Sequence, residues 1–267
     1  MGTLLNNFMY TGRLGPSSAY TMRGHDKIVI RSRGGATKQV IQTSPKFEVT
    51  RQLNQEWKAV VKAAGVIRSG LHGLQPMADY NVSGPLNALV KKLQTTDLVN
   101  PKGRRSILFS RQPEFFSSFQ FNRQNLFNSV IRQSFEVSID KTSVAAHVTI
   151  PVLQPSINIF ADTRYAYYRF VFCFDTVSDY VWDEDANLFK VLNSQLPDFK
   201  PAHTDWSPVS STQPEKSCQI APFLPGFSII PDMMFFFGGG IQYGMPAPDG
   251  SIQPVPYAGA ARILKCV

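Results

Sequence analysis

The sequence predicts an α+β protein, with an N-terminal basic β-hairpin plus helices followed by a C-terminal antiparallel β-sandwich. Three observations point there. Between residues 44 and 93 the apolar side chains recur at helical spacing, and after about residue 130 their period falls to two. The charge changes sign as well: residues 1–133 hold 19 Lys+Arg against 6 Asp+Glu, net +13, while 134–267 hold 8 against 13, net −5. Two domains are therefore expected, a basic hairpin and helical region over 1–130 and a β-sandwich domain over 131–267. With 43% hydrophobic residues and 12% aromatics, a chain of 267 residues carries enough apolar surface for a substantial core.

The first element is a hairpin over 17–33, SSAYTMRGHDKIVIRSR, turning at Gly24-His25-Asp26. Alternation along its second strand puts Lys27, Val29, Arg31 and Arg33 on one face, with Ile28 and Ile30 on the other. The glycines after Arg33 read as a flexible basic loop ending at Lys38. Ser44 and Pro45 mark a helix start, cap and first position respectively. Behind them Leu53, Trp57, Val60, Ala64, Ile67 and Leu71 form one apolar stripe, and Lys58 and Lys62 sit one turn apart beside it. Gly84-Pro85 opens a second helix whose apolar face is Leu86, Leu89, Val90 and Leu93, with Lys91 and Lys92 outside. NPKGRRSILFSR, residues 100–111, then adds Lys102, Arg104 and Arg105 in either a connecting arm or an edge strand.

In the second half Phe135, Val137 and Ile139 alternate with polar residues, Asp140 to Ser143 supply a turn, and Val144, Ala146, Val148 and Ile150 alternate again. Tyr168, Phe170, Phe172 and Phe174 give a strand with an aromatic face. Ile229, Ile230 and Met233 to Phe237 suggest another, Asp249-Gly250 a turn between Ile241-Gln242-Tyr243 and Ser251-Ile252-Gln253, and Ala261 to Val267 a closing strand. Gly238-Gly239-Gly240 reads as a bend or bulge between strands. Residues 197–225 are rich in proline and read as a long surface loop, or as an arm that orders against a neighbour.

The sequence carries no recognisable catalytic set. His25, His72, His147 and His203 lack companions, and neither a nucleophile elbow nor a zinc-protease motif occurs. Cys173, Cys218 and Cys266 are too widely spaced for a zinc site or a disulfide framework, so no cofactor or metal is expected. The N-terminus lacks the features of a secretory leader and no apolar run reaches the roughly 18 residues of a membrane span, so a cytoplasmic protein without membrane contact is expected. The acidic residues Asp175, Asp179, Asp183, Glu184 and Asp185 miss the spacing of a calcium loop. They read instead as a solvated acidic loop, or as a surface (Asp179, Asp183, Glu184, Asp185) that meets the basic half of another copy.

The N-terminal third resembles an uncharacterised family, a domain of unknown function common in Bacteroidetes proteins. The residues that carry the likeness are Gly12-Arg13-Leu14-Gly15, Tyr20, Arg23-Gly24, Val29-Ile30-Arg31-Ser32, Ser44-Pro45, Arg51 and Asp79-Tyr80-Asn81, within residues 10–95. Lys46-Phe47-Glu48 departs from the Ala-Gln that often follows the proline there. The resemblance implies an architecture of glycine-punctuated hairpin followed by helices, and no functional residues.

The functional expectation is a non-enzymatic structural or assembly protein forming a homo-oligomer or larger particle. The alternative is a nucleic-acid or other polyanion binder whose contacts go to the backbone with little specificity. In both, the binding residues are Lys27, Arg31, Arg33, Lys38, Lys58, Lys62, Lys102, Arg104 and Arg105.

Overall fold

The computed structural model describes residues 2–3, 10–21, 27–32, 34–221 and 231–267. It combines α-helices with antiparallel sheets, an α+β arrangement. Two compact units are present, Met1–Arg51 and Gln52–Val267. The boundary expected at 130 falls inside the second of these, where helices from before it and strands from after it share one core.

The first unit is a four-stranded sheet of β1 (Gly2–Thr3), β2 (Gly12–Leu14), β3 (Ser17–Tyr20) and β4 (Val29–Ser32), in the order β1-β4-β3-β2. Strands β3 and β4 pair antiparallel with Ser17 opposite Ser32 and Tyr20 opposite Val29. The expected turn at Gly24, His25 and Asp26 lies outside the described residues, as does Arg33. Residues 34–37 form a loop, as expected, and helix α1 (Lys38–Thr43) follows it. Its six residues are too few to display a hydrophobic period, but Thr37 caps it, accepting the amide of Val40 at 3.3 Å. Arg51 closes its other end by donating to the carbonyls of Ile41 and Ser44, both at 2.8 Å.

Helix α2 (Glu48–Gly70) follows a 3-10 turn that begins at Pro45, and Ser44 makes no side-chain cap bond to that turn. Its buried face is Glu56, Ala59, Val60, Ala63, Ala64 and Ile67. Of the expected stripe, Val60, Ala64, Ile67 and Leu71 are fully buried and Leu53 partly so, while Trp57 departs from it at 45% exposed. Ala59 and Ala63 take buried positions on the neighbouring face instead. Helix α3 (Ser83–Gln94) buries Leu86, Val90 and Leu93, as its spacing implied.

The main sheet of the second unit contains β7 (Tyr167–Ser178), β10 (Ala202–His203), β11 (Ser207–Pro208), β13 (Met233–Pro246) and β14 (Ile252–Cys266). Its path is β10-β7-β13-β14, with β11 also on β7. One face packs on α2, α3 and a 3-10 turn at His72–Met77 through Val171, Cys173, Met234, Phe236 and Ile263. The other face presents Tyr168, Phe170, Phe172, Phe174, Phe235 and Phe237. It shares a second core with a three-stranded sheet made of β5 (Glu136–Asp140), β6 (Ala145–Ile150) and β12 (Lys216–Ile220). Because β7 and β13 are covered on both faces, they read as continuous apolar runs rather than as alternation.

Two expectations change here. Gly238-Gly239-Gly240 lies within β13, at a register shift rather than between strands. A Cβ at Gly238 would lie 2.7 Å from Leu71 and Leu74, and one at Gly240 2.8 Å from the Met77 sulfur. Bare backbone there lets the 3-10 turn rest directly on the sheet. The described part of the proline-rich stretch is not a free arm: β10 and β11 extend the edge of β7, and β12 pairs with β6. Proline is tolerated at such sheet edges, where one row of amides needs no partner. Pro222, Pro225, Ile229 and Ile230 lie outside the described residues. Among the described residues no helix is long and apolar enough to cross a membrane.

Candidate functional site

Two short strands, β8 (Tyr180–Asp183) and β9 (Leu188–Val191), form a separate hairpin beside α2. Trp182 and Phe189 are directly paired across it, their rings 5.2 Å apart and edge to face. Asn187 sits at the turn with φ +50°, a conformation asparagine accepts more readily than most residues. Helix α2 contributes Gln55, Lys58 and Lys62, spaced so that all three point one way. Between helix and hairpin lies a groove of about 330 Å³ with Tyr180, Trp182, Leu188 and Phe189 as its apolar lining and the two lysines on its rim.

Arg104 adds a third cation. Its guanidinium lies 5.7 Å from the centre of the Trp182 ring and 2.6 Å from Glu184. Both partners of that ion pair are exposed, so its worth is at most about 1 kcal/mol.

The loop carrying Arg104 is held from below by a buried carboxylate. Glu56 is fully buried and accepts the Gly103 amide at 2.8 Å, two Arg105 donors at 2.9 and 2.7 Å, and the Lys91 ammonium at 2.5 Å. Burial alone would raise its pKa; the bonds from Arg105, Lys91 and Gly103 outweigh it and bring the value down to about 2. Asp97 fastens the start of the same loop, accepting from the amides of Val99, Asn100 and Ser106. Burial opposes ionisation there too, and the Asn100 side chain and these amides still hold the carboxyl below its ordinary value. Residues 97–106 are consequently a fixed shelf rather than the expected arm or edge strand.

Of the expected basic residues, Lys58 and Lys62 line this groove, and Arg104 lies over the ring of Trp182, one of its lining residues. Arg105 is committed to Glu56, and Lys91, expected outside, is too. Lys102 is exposed on the shelf but does not line the groove. Lys27, Arg31 and Lys38 are exposed in the first unit, with Arg31 over the Tyr20 ring at 5.7 Å.

Of the expected acidic partner surface, Asp179 is buried, while Asp183, Glu184 and Asp185 lie together at the turn between β8 and β9. Asp179 is 1% exposed and accepts both the amide and the hydroxyl of Ser110, at 3.0 and 2.6 Å. Burial pushes its carboxyl up, against those two bonds. Asp183 pairs with Lys190 at 2.9 Å and accepts the Ala186 amide, closing the hairpin turn. Glu184 meets Arg104 of its own chain, so one contact expected between copies is made within a single copy. Asp185 is exposed. Asp175 lies inside β7 and not in a loop; burial raises it to about 7.

The aromatic half of the groove was missed. Tyr180-Val181-Trp182 and Leu188-Phe189 flank an acidic turn, a short hairpin signal that the run of carboxylates obscured. Ammonium groups beside aromatic rings suit an anionic partner with a flat or apolar part. The histidines do not join it: His72 contacts the Ser69 carbonyl, His147 is on β6 and His203 on β10, while His25 lies outside the described residues.

Comparison of the chain with family models, with curated proteins and with solved structures finds no match.

Proposed function

We propose that this chain is a non-enzymatic structural protein that assembles into a homo-oligomer or larger particle. In this reading the basic N-terminal hairpin and a β-sandwich form the assembly platform, and the lysine-rimmed groove receives an acidic segment of a neighbouring copy. The observation that carries it is the surface of α2. Lys58 and Lys62 have no ion-pair partner among the described residues, and Trp57 and Val61 stand exposed on the same two turns. An exposed tryptophan beside cations with unspent charge has the composition of an interface anchor. Exposed carboxylates for the opposite side remain in the second half, at Asp185, Asp205 and Glu215.

Sedimentation of the purified chain at low and high salt tests this. The expected outcome is an oligomer that weakens with salt and is lost in the Lys58→Glu, Lys62→Glu double variant. A monomer under all conditions would overturn it.

A second reading is favoured by Arg104 over the Trp182 ring, which lines the same groove as the two lysines. Single-stranded nucleic acid uses such a combination of rings and cations. Quenching of tryptophan fluorescence by an oligonucleotide, with affinity falling steeply as salt rises, is its expected signature. No quenching at low salt excludes it.

A further inference from the structure

A second cationic groove draws two of its three cations, Arg262 and Lys265, from the net-acidic half of the sequence. The alternation of β14 places Ala261 and Ile263 toward the helices and Ala258, Ala260 and Leu264 toward the other core. Strict alternation would then turn Lys265 toward the helices. It does not, because the register slips: Gly238 pairs with Ile263 but Phe237 with Lys265, leaving Leu264 as an extra residue. After this bulge Cys266 faces the helix side, and Lys265 joins Arg262 and Leu264 in lining one groove of about 290 Å³. Bulges commonly re-aim a side chain in this way beside a functional site.

Arg132 supplies a third cation from the segment after α4 (Phe127–Val130), its guanidinium 3.8 Å from the Phe160 ring centre. Arg262 donates to Asn128 Oδ1 at 2.7 Å and Lys265 to the Val137 carbonyl at 2.8 Å, so both are held by neutral acceptors. No carboxylate lines the groove, and none pairs with these three cations among the described residues. Arg262 and Lys265 are half-buried. A half-buried cation without a counter-ion is costly, and burial pulls Arg262 below its usual value. An anion entering the groove would remove that cost.

We propose that this groove binds a tetrahedral phosphate-type oxyanion, either free or as the phosphomonoester of a larger molecule. Three cations reaching one space from β14 and the α4–β5 connection suit an anion with several acceptor oxygens, and the arginine forks match its geometry. The site is separate from the lysine-rimmed groove and needs neither functional reading above.

The test is calorimetric titration of the full chain at low ionic strength with inorganic phosphate, phenyl phosphate and glutamate in separate arms. Lys265→Gln and Arg132→Gln, checked for native circular dichroism, are expected to weaken phosphate binding about tenfold each, the loss of one charge-assisted contact. The Lys58→Glu, Lys62→Glu variant is expected to bind as the unaltered chain does. Preference for phenyl phosphate identifies a phosphomonoester ligand, and preference for inorganic phosphate the free ion. Equal or tighter binding of glutamate, no phosphate binding, or unchanged binding in both groove variants would each overturn the proposal.

Discussion

Replacing Glu56 with glutamine tests whether the shelf beneath Arg104 depends on one buried charge. The carboxylate holds two cations and a backbone amide while fully buried, so its loss leaves Arg105 and Lys91 without their counter-ion. Removing one partner of a buried pair costs about 3–5 kcal/mol. The pH dependence gives an independent figure: a fall from 4.5 to about 2 corresponds to about 3 kcal/mol, taking about 1.4 kcal/mol per pH unit. The folded pKa is depressed, so this stabilisation is complete above 4.5 and is lost as pH falls toward 2. Urea unfolding followed by far-UV circular dichroism, on both proteins from neutral pH to about pH 3, measures it. The gap between them is expected to be about 3 kcal/mol at neutral pH and to narrow once the acid limb is entered. A gap under about 1 kcal/mol, or one that stays constant into acid, would refute the assignment.

Further outcomes follow from the same contacts. Gly240→Val drives a side chain into Met77 and Ala261 and is expected to cost about 1–3 kcal/mol in chemical denaturation, more than the same change at exposed Gly84. Asp175 has a folded pKa raised from 3.8 to about 7 by burial, with the charge of Asp198 adding to it and the Thr176 amide opposing. The folded state therefore binds the extra proton, and stability falls as pH rises from 3.8 to about 7. Asp175→Asn is expected to gain on the unaltered protein at alkaline pH relative to pH 4, and an equal difference at both would count against it. Thiol labelling of the native protein is expected at half-buried Cys218 first, since burial pushes Cys173 and Cys266 up to about 12. Equal labelling of all three before unfolding would contradict the packing.

The elements legible in the sequence are those whose signal is local. The spacing of Leu86, Val90 and Leu93 marks α3, the turn at Asp140 to Ser143 marks β5 and β6, and Asp249-Gly250 marks the hairpin of β13 and β14. Helix α2 and most of its buried stripe are legible; Trp57 is the exception, because the buried Ala59 and Ala63 carry a weak hydrophobic signal beside it. Glu56 could not be found at all, since its partners at Lys91, Gly103 and Arg105 come from beyond the helix. For the candidate groove, the cationic half was visible as Lys58, Lys62 and Arg104. Its aromatic half sits on β8 and β9, which the helix reaches only through the fold. The groove at Arg262 and Lys265 depends on a one-residue bulge, and net charge in that half points the wrong way.

The central claim is assembly through the lysine-bearing face of α2. Native mass measurement of the unaltered chain and of Trp57→Ser, at low and high salt, tests it most directly. The account predicts an oligomer at low salt that shifts toward the monomer with salt and is weakened by removal of Trp57. A single monomer mass in both proteins at both salt concentrations would contradict it.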